Sequence, residues 1–219
     1  MNEVKPLWAR RRGQVILGAA AILLAGVIGL LVVRGHPAID ERWMTAAIAA
    51  RGPGWDVVAL TLNYLGGGLI GAVVVPILVT LALARWRGWW QAAYFLVASA
   101  ASALVVQVLK AVFDRARPED MLVVSDPGSF PSGHTANAAT IAVAMGLLFP
   151  RWWVWLAGAG YTVLMAVSRT YLGAHWLTDT LGGMLVGAGV AVLVWAAFGD
   201  RLADSGQQPA DDPGVAGQE

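Results

Sequence analysis

Charged residues are missing from six long stretches of this chain. No Asp, Glu, Lys or Arg occurs between Arg12 and Arg34, Asp56 and Arg85, Arg87 and Lys110, Asp126 and Arg151, Arg151 and Arg169, or Asp179 and Asp200, gaps of 21, 28, 22, 24, 17 and 20 residues. A helix needs about 20 mostly apolar residues to cross the hydrocarbon core of a bilayer, so each gap matches one crossing. The pattern predicts an all-α, polytopic membrane domain of six transmembrane helices, at about 15–33, 57–84, 88–113, 132–149, 152–168 and 178–199. Between the first two, residues 38–50 mix charged and apolar positions at near-helical spacing, with Trp43 and Met44 among them. This segment predicts a short amphipathic helix lying on the membrane surface. Residues 1–14 read as a basic cytoplasmic N-terminus, 15–199 as the six-helix domain, and 200–219, rich in Asp, Gln, Pro and Gly, as a disordered cytoplasmic tail.

Composition sharpens this picture. Of 219 residues 58% are hydrophobic and 13% charged, against roughly a quarter charged in a soluble domain. A net charge of +1 offers no basic stripe for a phosphate backbone, so nucleic acid is not expected as a partner. The absence of cysteine excludes disulfides and cysteine-ligated metals. Arg10, Arg11 and Arg12 precede an apolar run that is too long for a signal core and runs into Val33-Arg34-Gly35-His36 with no small-x-small cleavage site at its end, so it reads as a retained span. With the N-terminus inside, eight Lys and Arg fall on inner segments and seven on outer ones, and three of the outer seven, Lys110, Arg117 and Arg169, have a separate role argued below. Without those the bias is eight to four, which favours both termini in the cytoplasm. All eleven tryptophans fall near an expected helix boundary, where indole prefers the headgroup zone. Gly67 and Gly71, and Gly183 and Gly187, have the spacing of close helix packing.

Three polar clusters carry candidate chemistry. Lys110 and Arg117 lie seven residues apart, immediately before Pro118; if the helix continues to the proline, both cations point the same way. They could be snorkelling anchors or a clamp for an anion. Pro131-Ser132-Gly133-His134 opens the fourth helix. Ser132 could be an ordinary cap, or the free N–H groups beside Gly133 could form an anion site, with His134 positioned to move a proton. Ser168-Arg169 precedes His175 and Asp179, an i, i+4 pair where the sixth helix begins. They could be a plain helix-end pair, or the carboxylate could take the Nδ1 proton and leave Nε2 as a nucleophile.

Under this topology the third and fifth helices end, and the fourth and sixth begin, on one side of the membrane, so the clusters converge. Two of the chain's three histidines lie inside them. Three cations, a helix N-terminus and two imidazoles describe phosphoryl transfer without a metal, since Arg and Lys can neutralise the oxygens that Mg²⁺ often takes. No metal or cofactor is expected.

At these residues the sequence resembles the type 2 phosphatidic acid phosphatase family, the membrane branch of the acid phosphatase and vanadium haloperoxidase superfamily. Its pattern stands here as Lys110-AVFDRA-Arg117-Pro118, PSGH at 131–134, and Ser168-Arg169-TYLGA-His175-WLT-Asp179. The resemblance implies a catalytic set of His175, His134 and Asp179. His175 would attack phosphorus and form a phosphohistidine, Asp179 would orient it, and His134 would protonate the leaving oxygen and then activate water. Lys110, Arg117, Arg169, Ser132 and the Gly133 N–H would hold the phosphoryl oxygens.

A site at the membrane boundary suits a lipid phosphate whose tail stays in the bilayer, such as undecaprenyl diphosphate, phosphatidic acid or phosphatidylglycerol phosphate. The expected setting is the cell's inner membrane, with the site on the extracytoplasmic side and no obligatory protein partner. A phosphotransferase, or a lipid-phosphate binding or transport protein without catalysis, remains an alternative; the complete His175, Asp179 and His134 set argues against mere binding.

Overall fold

The computed structural model of the chain describes residues 7–204. These residues form eight α-helices and no strand: α1 (Leu7–Val32), α2 (Ala38–Ala49), α3 (Pro53–Gly66), α4 (Val75–Trp86), α5 (Trp89–Phe113), α6 (Gly133–Leu148), α7 (Trp152–Tyr171) and α8 (Leu177–Asp204). A π-helical turn, Ile70–Val74, runs directly into α4. Local chemistry sets several limits. Pro53 starts α3, where its missing N–H costs nothing. Asp114 closes α5 in the left-handed region at φ 38°, and α6 ends two residues before Pro150.

Packing centres on α8, which lies along α1, α5 and α6, while α6 is held between α7 and α8. A Cβ on Gly183 would stand 2.5 Å from the Ser132 carbonyl oxygen, and one on Gly187 would stand 2.1 Å from that of Ala136. The glycine pair therefore lets α6 and α8 touch backbone to backbone, the packing role its spacing predicts. Thr140 adds a polar tie by donating to Ser102 Oγ at 2.9 Å across to α5. One apolar cluster, around Tyr94, Phe95, Ala144 and Leu148, fills the end away from the site. Another, of Val32, Phe113 and Phe130, lies at the site end. The outward faces keep large apolar side chains exposed, among them Leu31, Leu104, Val112 and Leu156, as lipid contact requires.

The expected six crossings are matched in part. Among the described residues three helices are long and apolar enough to span, beginning at Arg11 in α1, at Trp89 and at Leu177, and a bent pair makes a fourth if it counts as one span. α6, at 16 residues, rises about 24 Å, short of the roughly 30 Å core.

The expected continuous helix at 57–84 is in fact that bent pair, α3 and α4, with 48° between its halves. Its cause is the run Gly66-Gly67-Gly68. Gly68 has φ +57°, and a Cβ on Gly71 would lie 2.1 Å from the Gly66 carbonyl carbon. Helix α2 also departs from a purely surface helix: Asp40 is completely buried and Met44 nearly so. Trp176, expected as an interfacial anchor, is buried, stacked on His36 with ring centroids 4.1 Å apart. Finally, α8 continues through Asp200 to Asp204, so the expected tail starts later, and residues 205–219 lie outside the described residues.

Candidate active site

Helix periodicity does not bring Lys110 and Arg117 together, because α5 stops at Phe113 and Arg117 stands on the following loop. That loop returns over the helix end instead. Lys110 Nζ donates to the Gly128 carbonyl at 2.9 Å, and Arg117 Nη2 donates to the same oxygen at 3.1 Å. Arg117 is pinned further by Nε donating to the Asp126 carbonyl at 2.8 Å and Nη1 to that of Ala174. Arg169, on the last turn of α7, is 1% exposed. Its Nη1 donates to Asn63 Oδ1, and its buried Nε has no hydrogen-bond partner among the described residues.

The cations face a cavity of about 570 Å³ lined also by Gly133, His134 and His175. Gly133 and His134 open α6, where the first N–H groups lack helical acceptors. Ser132 is fully buried and makes no side-chain cap bond. Its N–H donates to the Asp179 carbonyl at 2.9 Å, and its hydroxyl accepts from Thr135 at 3.1 Å. Ser132 thus ties the start of α6 to α8 from beneath the cavity.

His175 sits in the tight turn between α7 and α8, with Nδ1 2.8 Å from the Ser129 carbonyl oxygen. A carbonyl only accepts, so Nδ1 carries the proton and Nε2 holds the lone pair. Nε2 lies 3.3 Å from Arg117 Nη1. Burial, reinforced by Arg117, Arg169 and Lys110, holds the imidazole well below its usual range, in the neutral form. Burial likewise lowers Arg117 from its usual value. Asp179 Oδ2 stands 3.6 Å from Nδ1 and accepts the Trp176 N–H at 2.8 Å. The Asp179 carboxylate is therefore a close neighbour of the ring, while the direct hydrogen bond goes to Ser129. His134 follows the same logic, since its Nε2 is 3.0 Å from the Asn63 carbonyl oxygen and so donates to it.

All eight site residues read from the sequence gather here, six on the cavity wall and two, Ser132 and Asp179, behind it. Sequence reasoning missed Asn63, Ser129, Arg115 and Asp40. Arg115 reaches Asp179 at 2.6 Å and Asp40 at 2.7 Å. Its signal was a second arginine inside Lys110-AVFDRA-Arg117; the polar Asn63 three residues before a glycine triplet was another.

A family model matches residues 91–203, just over half the chain, and its description is the PAP2 superfamily. The chain belongs to that superfamily. This PAP2 protein is 29% identical over 160 residues to phosphatidylglycerophosphatase B of Bacillus subtilis, covering 68% of this chain and 77% of the relative. It is 30% identical over 180 residues to decaprenylphosphoryl-5-phosphoribose phosphatase of Mycobacterium tuberculosis, covering 77% and 93%. Its fold matches the crystal structure of a transmembrane PAP2 type phosphatidylglycerolphosphate phosphatase from Bacillus subtilis with a TM-score of 0.72 and 27% identity, over 84% of this chain and 96% of that one. The PAP2 chain is thus a multi-pass membrane enzyme of the lipid phosphate hydrolase class.

Proposed function

We propose that the protein hydrolyses a lipid phosphate or diphosphate without a metal, through a phosphohistidine on His175. The observation that carries this reading is the Ser129 hydrogen bond to His175 Nδ1, which leaves the Nε2 lone pair beside a cluster of cations. Nε2 attacks phosphorus; the N–P bond forms, the bond to the lipid oxygen breaks, and His134 supplies that oxygen with a proton. Water then gives its proton to His134 and attacks phosphorus, breaking the N–P bond and releasing phosphate. Lys110, Arg117, Arg169 and the Gly133 N–H hold the phosphoryl oxygens, with Ser132 supporting the turn and Asp179 stabilising the ring as it becomes cationic. The unpartnered, buried Nε of Arg169 is a donor that such an oxygen would satisfy.

The chain crosses the cell membrane six times in this reading, α6 and α7 completing the set, with both termini in the cytoplasm and the site on the extracytoplasmic side. Burial of Arg115 moves a fourth outer cation into the protein, leaving eight inner Lys and Arg against Arg34, Arg42 and Arg51 outside. Undecaprenyl diphosphate, phosphatidic acid and phosphatidylglycerol phosphate are the candidate substrates, and the likeness both to a phosphatidylglycerophosphatase and to a decaprenyl-linked sugar phosphatase keeps the glycerolipid and polyprenyl classes in the panel.

The test is phosphate release from those three lipids by detergent-purified protein in excess EDTA, wild type beside His175→Ala. Release by the wild type and its loss in a folded His175→Ala protein are expected. Undiminished release by the variant overturns the assignment, EDTA sensitivity restored by Mg²⁺ overturns the metal-free mechanism, and loss of the lipid phosphate without free phosphate indicates transfer to an alcohol.

A further inference from the structure

Arg115 stands outside the phosphate-binding cations, yet its side chain is 1% exposed and those of its two ionic partners, Asp40 and Asp179, are fully buried. Nη1 donates to Asp179 Oδ1 at 2.6 Å and to Thr178 Oγ1 at 2.8 Å. Nη2 donates to Asp40 Oδ2 at 2.7 Å and to the Gly35 carbonyl at 3.3 Å. Asp40 in turn accepts the Thr178 N–H at 2.9 Å and its hydroxyl at 2.7 Å. One guanidinium and one carboxylate thus bind α2 to the first turn of α8, next to the residue that faces His175.

Stability alone is a poor account of this cluster, because burying ions costs more solvation than pairing readily returns and apolar replacements often serve as well. The arrangement does determine the Asp179 carboxylate. Arg115 holds Oδ1 and the Trp176 N–H holds Oδ2, so the group cannot rotate away from His175 Nδ1, 3.6 Å off. The formal charges of Asp40, Asp179 and Arg115 also sum to one negative, placed beside a ring that must become cationic when Nε2 bonds phosphorus. At Nε2 the ring meets Arg117, 3.3 Å away, and Lys110 and Arg169 line the same cavity, all of one sign.

We propose that Asp40 and Arg115 are positioning residues for the reaction: they lock the Asp179 carboxylate beside His175 and make α2 part of the catalytic assembly. The proposal rests on His175 being the nucleophile. It assigns α2 a function that a surface anchor would not have, since an exchange on α2 would change chemistry at a residue 135 positions later in the chain.

The experiment uses full-length protein in detergent with phosphatidic acid, or whichever lipid of the panel is turned over fastest, and compares wild type, Asp40→Asn, Arg115→Ala and His175→Ala. Base-quenched phosphoenzyme, kcat and KM are measured, with and without added guanidinium. Asp40→Asn and Arg115→Ala should lower kcat and phosphoenzyme formation together by about 10- to 100-fold, by analogy with residues that orient the ligands of a catalytic metal, with KM little changed. Guanidinium should restore Arg115→Ala and leave Asp40→Asn unaffected. Arg115→Ala strands two buried carboxylates; if it does not fold, the isosteric Asp40→Asn decides. A folded Asp40→Asn with wild-type kcat overturns the proposal, as does a rise in KM alone or misfolding of both variants, which would make the network structural. An inactive His175→Ala beside an unaffected Asp40→Asn overturns only this inference, whereas an active His175→Ala overturns the proposed function.

Discussion

At the scale of single residues, the chemistry depends on which atom of an imidazole is free. The Ser129 carbonyl accepts a hydrogen bond from the Nδ1–H of His175, and desolvation together with three cations keeps the ring neutral well below its ordinary range. The neutral imidazole proposed as nucleophile persists into acid, so the acid limb of kcat/KM, which reports the free enzyme, should lie below pH 6.5, the ordinary histidine value. Arg117 is the strongest of the cations lowering His175. Arg117→Gln should therefore move that limb upward, beyond its loss of rate. Comparing the two profiles on one substrate cancels the lipid's own ionisation; a limb that stays in place would show that another group sets it.

At the scale of elements, the decisive feature is the break between α3 and α4. In a continuous helix the Asn63 carbonyl would accept the Gly67 N–H, whereas the break leaves it to accept from His134, while its amide oxygen accepts from Arg169. Gly67 closes against the same histidine: a Cβ there would lie 2.0 Å from His134 Nε2. Gly67→Ala is expected to push the ring aside and cut kcat by about 10- to 100-fold, the effect of displacing a catalytic group by around 1 Å. Gly68→Ala supplies the contrast. Its position is open but left-handed at φ +57°, so it should cost about 1–2 kcal/mol of stability with a smaller effect on kcat. Turnover and thermal unfolding of the two variants, measured side by side, separate displacement of the histidine from backbone strain.

At the scale of the whole molecule, the prediction concerns which side of the bilayer holds the site. The chain contains no cysteine, so one introduced thiol reports its own exposure. Val124, on the loop over the cavity, is fully exposed, and Arg151, between α6 and α7, is exposed at the other end. In intact spheroplasts a membrane-impermeant maleimide should label Val124→Cys and should label Arg151→Cys only after permeabilisation. The reverse pattern would place the site in the cytoplasm.

Much of this was legible in the sequence because it is encoded by neighbours along the chain. Charge-free runs give α1, α5 and α8 directly, since desolvating a charge in hydrocarbon is too costly for those residues to be scattered. The spacing of Lys110, Arg117, His134, Arg169 and His175 picked out polar groups that the fold places on the cavity wall, with Asp179 behind it. What it could not supply were contacts between distant segments: Ser129 to His175 spans 46 positions, Asn63 to His134 spans 71, and Asp40 to Arg115 spans 75. Helical periodicity even gave the wrong route for Lys110 and Arg117, which meet through a returning loop at the Gly128 carbonyl. Composition and spacing therefore determined the solvent the chain lives in and most of the polar groups that line the cavity. Only tertiary packing decided the proton on each histidine and the burial of Asp40, because those depend on which backbone carbonyls and helices come within hydrogen-bond distance once the apolar faces have closed.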